Sequence, residues 1–458
     1  MAMISRLPLL GVALLAAVPV GATQGTFSVT SYGAACNGTT NDLTSIQAAF
    51  DAAHDAAVDA ASKGTVVVFP VGTCVISGGS VTVATGVVIQ GSGPLQSVVR
   101  QLSLDRTVFQ VTTAEPVEFR DLAIEYDPAS PLRATAGAAI LVDAPAGTAQ
   151  PYFSVRHVRF SKAYVGVETV RAGAFGISDS TFTDSVAAGV IVNNLTTPDD
   201  GDSYISDCLF ADVGNFLNSW TSSGVLWQSS GGLRILNNKF QGGGVGINLD
   251  ATTFESSILI VTGNSFENFA YYGVWAHVEP GGTFPLINIT GNEFGTYHSG
   301  AQAGLIVDAP TIKGITVTGN TFNNVSGVGA FFNNGTNAAI ATNSFNATNG
   351  VSGTAYGIFV ASGFGQLTIG ENDFSATYPI YSAPIYSAAS STRMLLNYPF
   401  TWVQVTNWLS PSGASNGSRV YCSDCRGAAD ASYVAGAACT GSGSGAMAQR
   451  ISGSWRCW

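Results

Sequence analysis

Two hydrophobic patterns recur along this chain, and neither has the spacing of a helix. The first is a six-residue phrase, apolar-x-x-Asn-x-Phe. It runs from Ile235 through Asn238 to Phe240, from Val261 through Asn264 to Phe266, and from Ile289 through Asn292 to Phe294. It returns from Val317 through Asn320 to Phe322, from Ile340 through Asn343 to Phe345, and from Ile369 through Asn372 to Phe374. Degenerate copies precede these, with Val158, Ser180 and Cys208 at the Asn position and Phe160, Phe182 and Phe210 at the end. An earlier turn carries Phe119, Leu122 and Ile124 in its apolar positions. Copies follow one another at steps of 22–30 residues, the size of one supersecondary unit stacked on the next. The units are too short for helix pairs and rich in β-branched and aromatic residues with Gly and Asn between them. One Asn and one Phe per unit imply like side chains stacked in ladders. The predicted fold is all-β, a single-stranded parallel β-helix of about ten or more coils.

The second pattern is a Gly followed by an alternating strand. It reads Gly166-Val-Glu-Thr, Gly189-Val-Ile-Val-Asn193, Gly224-Val-Leu-Trp-Gln228 and Gly246-Ile-Asn-Leu-Asp250. It continues as Gly273-Val-Trp-Ala-His277, Gly304-Leu-Ile-Val-Asp308, Gly329-Ala-Phe-Phe-Asn333 and Gly357-Ile-Phe-Val-Ala361. Strand alternation turns the first and third residues after Gly inward and the second and fourth outward. The outward fourth column is Asn193, Gln228, Asp250, His277, Asp308, Asn333, and the outward second column is Ile191, Leu226, Asn248, Trp275, Ile306, Phe331, Phe359. A polar column beside an aromatic one suits a glycan groove: sugar rings stack on aromatic faces while carboxylates, amides and imidazole bond the hydroxyls.

Asp250, His277 and Asp308 stand on three successive coils. With coils about 4.8 Å apart, the two carboxylates lie about 9–10 Å apart, near the upper end of the inverting-glycosidase spacing. Between them, His277 tunes one carboxylate or acts as a base itself. The expected catalytic residues are therefore Asp250, His277 and Asp308, with Asp250 and Asp308 as acid and base. The expected substrate-binding residues are Trp275, Asn248, Gln228, Glu279, Phe331 and Asn333. Any solvent-facing strand also shows polar residues outward, so the trio has to be judged on its geometry. Other candidates are weaker. The loop Pro198-Asp199-Asp200-Gly201-Asp202 has the donors for Ca²⁺ but also the composition of an acidic turn. His157, flanked by Arg156 and Arg159, offers a uronate contact or a solvated edge. No cofactor or metal is expected.

The ends differ from the repeats. Residues 1–22 hold Arg6, an apolar run from Leu7 to Val20 and the small-residue ending Val20-Gly21-Ala22, the pattern of a secretory signal peptide cleaved after Ala22. Asn41-Asp42 offers a helix N-cap, followed by helical spacing from Leu43 to about Ala61. Such a helix covers the open end of a solenoid core. The 23–396 segment is read as the capped β-helix and 397–458 as a small Cys-rich module. Seven cysteines in an exported chain read first as disulfides. Cys36 and Cys74 make one pair. Cys422, Cys425, Cys439 and Cys457 make two bridges of open connectivity, or a four-thiolate zinc site. Cys208 is left over in the Asn slot as a small buried residue. The formal net charge of −11 becomes one unit more negative without Arg6. That argues against nucleic acid and anionic membranes as partners.

The N-terminal segment resembles that of the pectate-lyase-like superfamily of right-handed parallel β-helices. The matching residues are Tyr32-Gly33-Ala34, Asn41-Asp42, Ser45-Ile46-Gln47-Ala48-Ala49, Phe69-Pro70-Val71-Gly72 and Gly91-Ser92-Gly93. Cys74 replaces the family's Tyr, which supports the bridge to Cys36. The likeness is close over about residues 26–95 and implies a right-handed helix. It does not choose an activity, because the superfamily holds hydrolases, lyases, epimerases and tailspikes. Tyr272-Gly273-Val274-Trp275-Ala276-His277-Val278-Glu279 is also similar to the catalytic segment of mannuronan epimerases. His277 matches the family's catalytic His, while Trp275 and Ala276 replace its Asp and Pro. The expected function is a secreted polysaccharide-active protein, most simply a glycoside hydrolase, with a lyase or epimerase and a non-catalytic adhesin or tailspike-like glycan binder as alternatives. The expected partner is the polysaccharide, and the expected assembly a monomer or homotrimer.

Overall fold

The computed structural model describes residues 25–458 except 61–63, 128–132, 147–151, 194–201, 215–221, 230, 252–257, 279–285, 296–300, 311, 313, 347–355, 375–382, 390–391, 401–415, 417 and 427–434. Residues 1–22, expected to be a signal peptide, the Asp199–Asp202 stretch apart from Asp202, and Glu279 lie outside the described residues. Among the described residues no helix is long and apolar enough to cross a membrane.

Each sequence pattern becomes one wall of a parallel stack. The Gly pattern forms a twelve-stranded parallel sheet. Its strands are β1 Val81–Val83, β2 Phe109–Val111, β3 Ala138–Asp143, β4 Val165–Arg171, β5 Ala188–Val192 and β6 Ser223–Trp227. They continue with β7 Val245–Ala251, β8 Tyr272–Val278, β9 Ala303–Asp308, β10 Val328–Asn334, β11 Tyr356–Val360 and β12 Ala383–Ser387. The Asn-Phe pattern supplies the rest of each coil, pairing Phe with Phe from Phe160 to Phe345.

The ladders are present. Nine Phe rings from Phe160 to Phe374 stack with centroids 4.6–5.0 Å apart and planes within 12°. These rings explain the glycines. A Cβ on Gly246 would lie 2.6 Å from the Phe266 ring, and one on Gly273 2.6 Å from the Phe294 ring. Gly166, Gly189, Gly224, Gly304 and Gly329 meet the rings of Phe182, Phe210, Phe240, Phe322 and Phe345 in the same way. One pattern thus fits into the other, and neither can slip along its strand without a collision.

The buried Asn ladder satisfies the corner between strands. Asn292 Oδ1 accepts the backbone and side-chain N–H groups of Asn264 at 2.9 and 3.0 Å. Its Nδ2 donates to the Val261 carbonyl and to Asn320 Oδ1, both at 2.9 Å. The residue before the ladder position is left-handed from coil to coil: Asp121, His157, Asp179, Asp207, Asn237, Gly263, Gly291, Gly319 and Thr342 all have φ between 49° and 70°. Asp, Asn and Gly tolerate that region best, which accounts for their recurrence there. His157 is such a corner residue, with Nδ1 2.9 Å from Asp121 Oδ1. Cys208 closes the Asn series. Its N–H donates to Asn238 Oδ1, and burial pushes its thiol up to about 12.

At the N-terminal end, α1 (Leu43–Ala60) lies against β1. Gln47 treats the open edge as a strand would: Oε1 accepts the Thr82 N–H at 2.8 Å and Nε2 donates to the Thr82 carbonyl at 3.2 Å. Asp42 does not cap the helix with its side chain as the sequence suggested. Its buried carboxylate instead accepts the N–H groups of Ala35, Cys36 and Val75, tying the N-terminal loop to the strand it must reach. Asn41 Oδ1 accepts the Leu43 N–H. Beside this knot Cys36 pairs with Cys74. At the other end, strand Thr392–Phe400 pairs in parallel with Arg419–Cys422, which then pairs antiparallel with Ala446–Ile451. The bridges there are Cys422–Cys425 and Cys439–Cys457.

Replacing Asn292 by Ala strands the buried Asn264 N–H and two carbonyls, and should cost about 3 kcal/mol. Thermal unfolding should show a clear fall in midpoint, and an unchanged midpoint would mean the ladder contributes nothing. Gln47→Ala, at a partly exposed edge, should cost about 1–2 kcal/mol.

Candidate active site on the outward face of the Gly-strand sheet

The backbone register brings the predicted trio together. Asp250 pairs with His277, and His277 with Asp308, on β7, β8 and β9. The second column is equally in register, from Asn248 through Trp275 and Ile306 to Phe331 and Phe359. The inward residues between them, Ile247, Leu249, Val274 and Ala276, are fully buried, which forces their neighbours outward.

His277 is held from three sides. Its Nε2 lies 3.0 Å from Asn248 Oδ1. An amide oxygen only accepts, so Nε2 carries the proton and Nδ1 is left facing Asp250 Oδ1 at 3.9 Å. The Trp275 ring, two residues earlier on the same face, stacks on the imidazole at 3.9 Å between centroids. Asp250 is buried, and its Oδ2 accepts a hydrogen bond from Gln228 Nε2 at 2.7 Å. Asp308 is half-buried, and its carboxylate has no hydrogen-bond partner among the described residues. The structure thus unites Gln228, Asn248, Asp250, Trp275 and His277 in one contact network, with Asp308 next in line. Asn248 and Asp250 are less open to solvent than strand alternation alone implies, because the longer Gln228, Trp275 and His277 side chains lean over them.

One prediction needs correction. Asn333 does not pair with Asp308, because it is the extra residue of a bulge on β10: Phe332 stands opposite Val307 and Asn334 opposite Asp308. A bulge adds a residue to one strand and reverses the facing of the residues after it, and strict alternation cannot foresee it. Phe331 remains in its column but packs edge-on against Phe359, at 5.0 Å.

Tyr272 was missed. Its hydroxyl donates to Gln302 Oε1 at 2.7 Å, and its ring lies 5.5 Å from that of Trp275. Burial, and secondarily the Asp308 charge, holds its phenol above the usual range. Reading the residue before each Gly as a third column would have found it, since only Tyr272 and Tyr356 are aromatic there. Tyr386 was missed too; it extends the aromatic column by stacking on Phe359 at 5.0 Å.

A parallel stack with one polar-aromatic face is a β-helix, and a family profile agrees. That of the "Right handed beta helix region" matches residues 138–374, more than half of the chain, and the protein belongs to this family, within the pectate-lyase-like β-helix superfamily. No curated protein matches it in sequence. Among solved structures, bacteriophage CBA120 tailspike protein 3 is similar, with TM-score 0.60 and 13% identity over 94% of this chain and 68% of that one. DFA-IIIase from Arthrobacter chlorophenolicus A6 is similar with TM-score 0.57 and 15% identity over 78% of this chain and 100% of that one. The A-module of a mannuronan C-5 epimerase from Azotobacter vinelandii gives 0.53 and 17% over 80% and 98%. At these identities the likeness is one of fold.

Toward the N-terminal end of the same face, Glu168 pairs in register with Leu141 and Ile191. Burial, then the nearby Asp143 charge, raises its carboxyl above the ordinary range. An acid raised in the folded state binds more protons there than when unfolded, so stability falls as pH rises from its ordinary value through the raised one. Glu168→Gln should therefore flatten that part of the stability–pH curve and raise the thermal midpoint at neutral pH relative to pH near 4. Parallel curves for the two proteins would contradict it.

Proposed function

We propose that the protein is a secreted glycoside hydrolase that cleaves a neutral or weakly charged polysaccharide along the β6–β10 face. The observation that carries the reading is the in-register Asp250–His277–Asp308 row beside Trp275. Two carboxyls two coils apart, about 9–10 Å, leave room for a water between acid and sugar, as inversion requires. The Gln228 hydrogen bond holds Asp250 in place, which suits a base that must face the attacking water. In this reading Asp250 takes a proton from the water that attacks the anomeric carbon. Asp308 gives its proton to the glycosidic oxygen as the C–O bond breaks. His277, fixed by Asn248 and Trp275, sets the charge around Asp250, while Trp275 and Phe331 present apolar surface to the sugar. Glu279, also expected on this face, would contact substrate beyond His277. The three disulfides suit an oxidising, extracytoplasmic setting.

No Lys or Arg occurs in any strand from β5 to β11. A uronate-directed lyase or epimerase needs cations to neutralise the substrate carboxylate, and this supports the neutral glycan. The test is incubation of the mature chain with neutral and acidic polysaccharides, following reducing ends and the ultraviolet absorbance of unsaturated products together. New reducing ends without absorbance are expected, with Asp250→Asn and Asp308→Asn each lowering the rate by at least about a hundredfold. Absorbance would instead assign a lyase centred on His277. Neither signal, with glycan binding retained, would make the protein a binder and remove the catalytic role of the trio.

A further inference from the structure

Away from the Gly-strand sheet, a cavity of about 440 Å³ opens between the C-terminal part of α1 and the starts of several strands of the Asn-Phe wall. Ala57, Val88 and Pro116 make its apolar side, and Glu118, Ser154 and Tyr152 its polar side. Val88, Glu118, Ser154, Gly176 and Tyr204 follow one another in register as a single outward column. Gly176 is a gap in that column, and Tyr204 uses it. A Cβ at 176 would lie 2.4 Å from the Tyr204 ring, so the ring lies back across the glycine. Tyr204 is nevertheless 37% exposed and Tyr152 47%. Burial, and secondarily the neighbouring Tyr204, raises the Tyr152 phenol, so the Tyr204 ring stands beside the cavity wall.

Glu115 lines the hollow together with Glu118, so two carboxylates face the two guanidiniums of Arg120 and Arg156 and the charges balance locally. Glu118 Oε1 lies 3.6 Å from both Arg120 Nη1 and Arg156 Nη2, and Arg156 is more than half exposed. The Ser154 hydroxyl has no hydrogen-bond partner among the described residues. An aromatic ring with donors and acceptors of both kinds beside it, and no net charge to match, fits a hydroxyl-rich neutral ring better than an ion. The volume sits at the low end of ligand pockets, about 300–1,000 Å³, and suits a short saccharide.

We propose that this hollow is a second carbohydrate site, taking a neutral sugar that stacks on Tyr204 while Glu118, Arg156 and Ser154 bond its hydroxyls. It shares no residue with the Asp250 face, so it stands or falls separately from the hydrolase reading. Such a site would hold the protein on a glycan while another part of the chain is processed.

Calorimetric titration of the full mature chain with laminarihexaose, maltohexaose and cellohexaose tests it. At least one of these should bind with a component that Tyr204→Ala and Glu118→Gln each weaken about tenfold and Trp275→Ala leaves unchanged. Thermal midpoints of the variants check their folding, and Glu118→Gln keeps the test open if Tyr204→Ala does not fold. Binding untouched by both variants, binding lost only with Trp275→Ala, or no binding by any hexaose would overturn the proposal.

Discussion

The structure depends on a steric fit between two residues of unlike size. In the coils from Gly166 to Gly329 a Gly of one wall lies under a Phe ring of the other, and a Cβ there would collide with the ring. Burial of one face already disfavours a one-residue slip, and this repeated collision constraint excludes the other registers of these Gly-containing strands as well. The Phe stack and the Asn ladder depend on it in turn, since both need neighbouring coils aligned residue on residue.

The same constraint builds the candidate site. Asp250, His277 and Asp308 each stand four residues after an interlocked Gly, so locking the glycines places the three side chains in a row. Nothing local to the trio has to hold them there. Local chemistry adds orientation: Asn248 and Trp275 fix the imidazole, and Gln228 fixes Asp250. Rigid strands carrying functional groups are better positioned than loops for such work.

Most of this was legible in the sequence because both patterns repeat. The Asn and Phe ladders, the inward and outward columns and the Cys36–Cys74 pair could each be read from periodicity or position. The departures come where one coil differs from its neighbours. The bulge at Asn333 on β10 sets Asn334 opposite Asp308, and a single inserted residue leaves no trace in a hydrophobic pattern. Of the Asn41-Asp42 cap pair only Asn41 serves the helix, while the Asp42 carboxylate binds two loop amides and the strand amide of Val75, a long-range contact that local propensity does not encode. Tyr272 precedes its Gly, outside the alternating columns, and Tyr386 lies one coil beyond the last Gly-marked strand. Gln47 carried a motif whose physical purpose, pairing with Thr82 at an open strand edge, emerges only once the edge exists.

The ladder geometry also governs how such a protein can change in length. Between Asn238 and Asn343 each coil offers the next the same Phe face, Asn acceptor and glycine gap that it received from the one before. Duplicating or deleting one whole coil therefore leaves every remaining contact satisfied. The groove would lengthen or shorten in discrete steps of about 4.8 Å, so distances along it are quantised rather than continuously tunable. Separation between two functional side chains can be reset by whole-coil duplication, while a change of one or two residues within a coil would break the interlock.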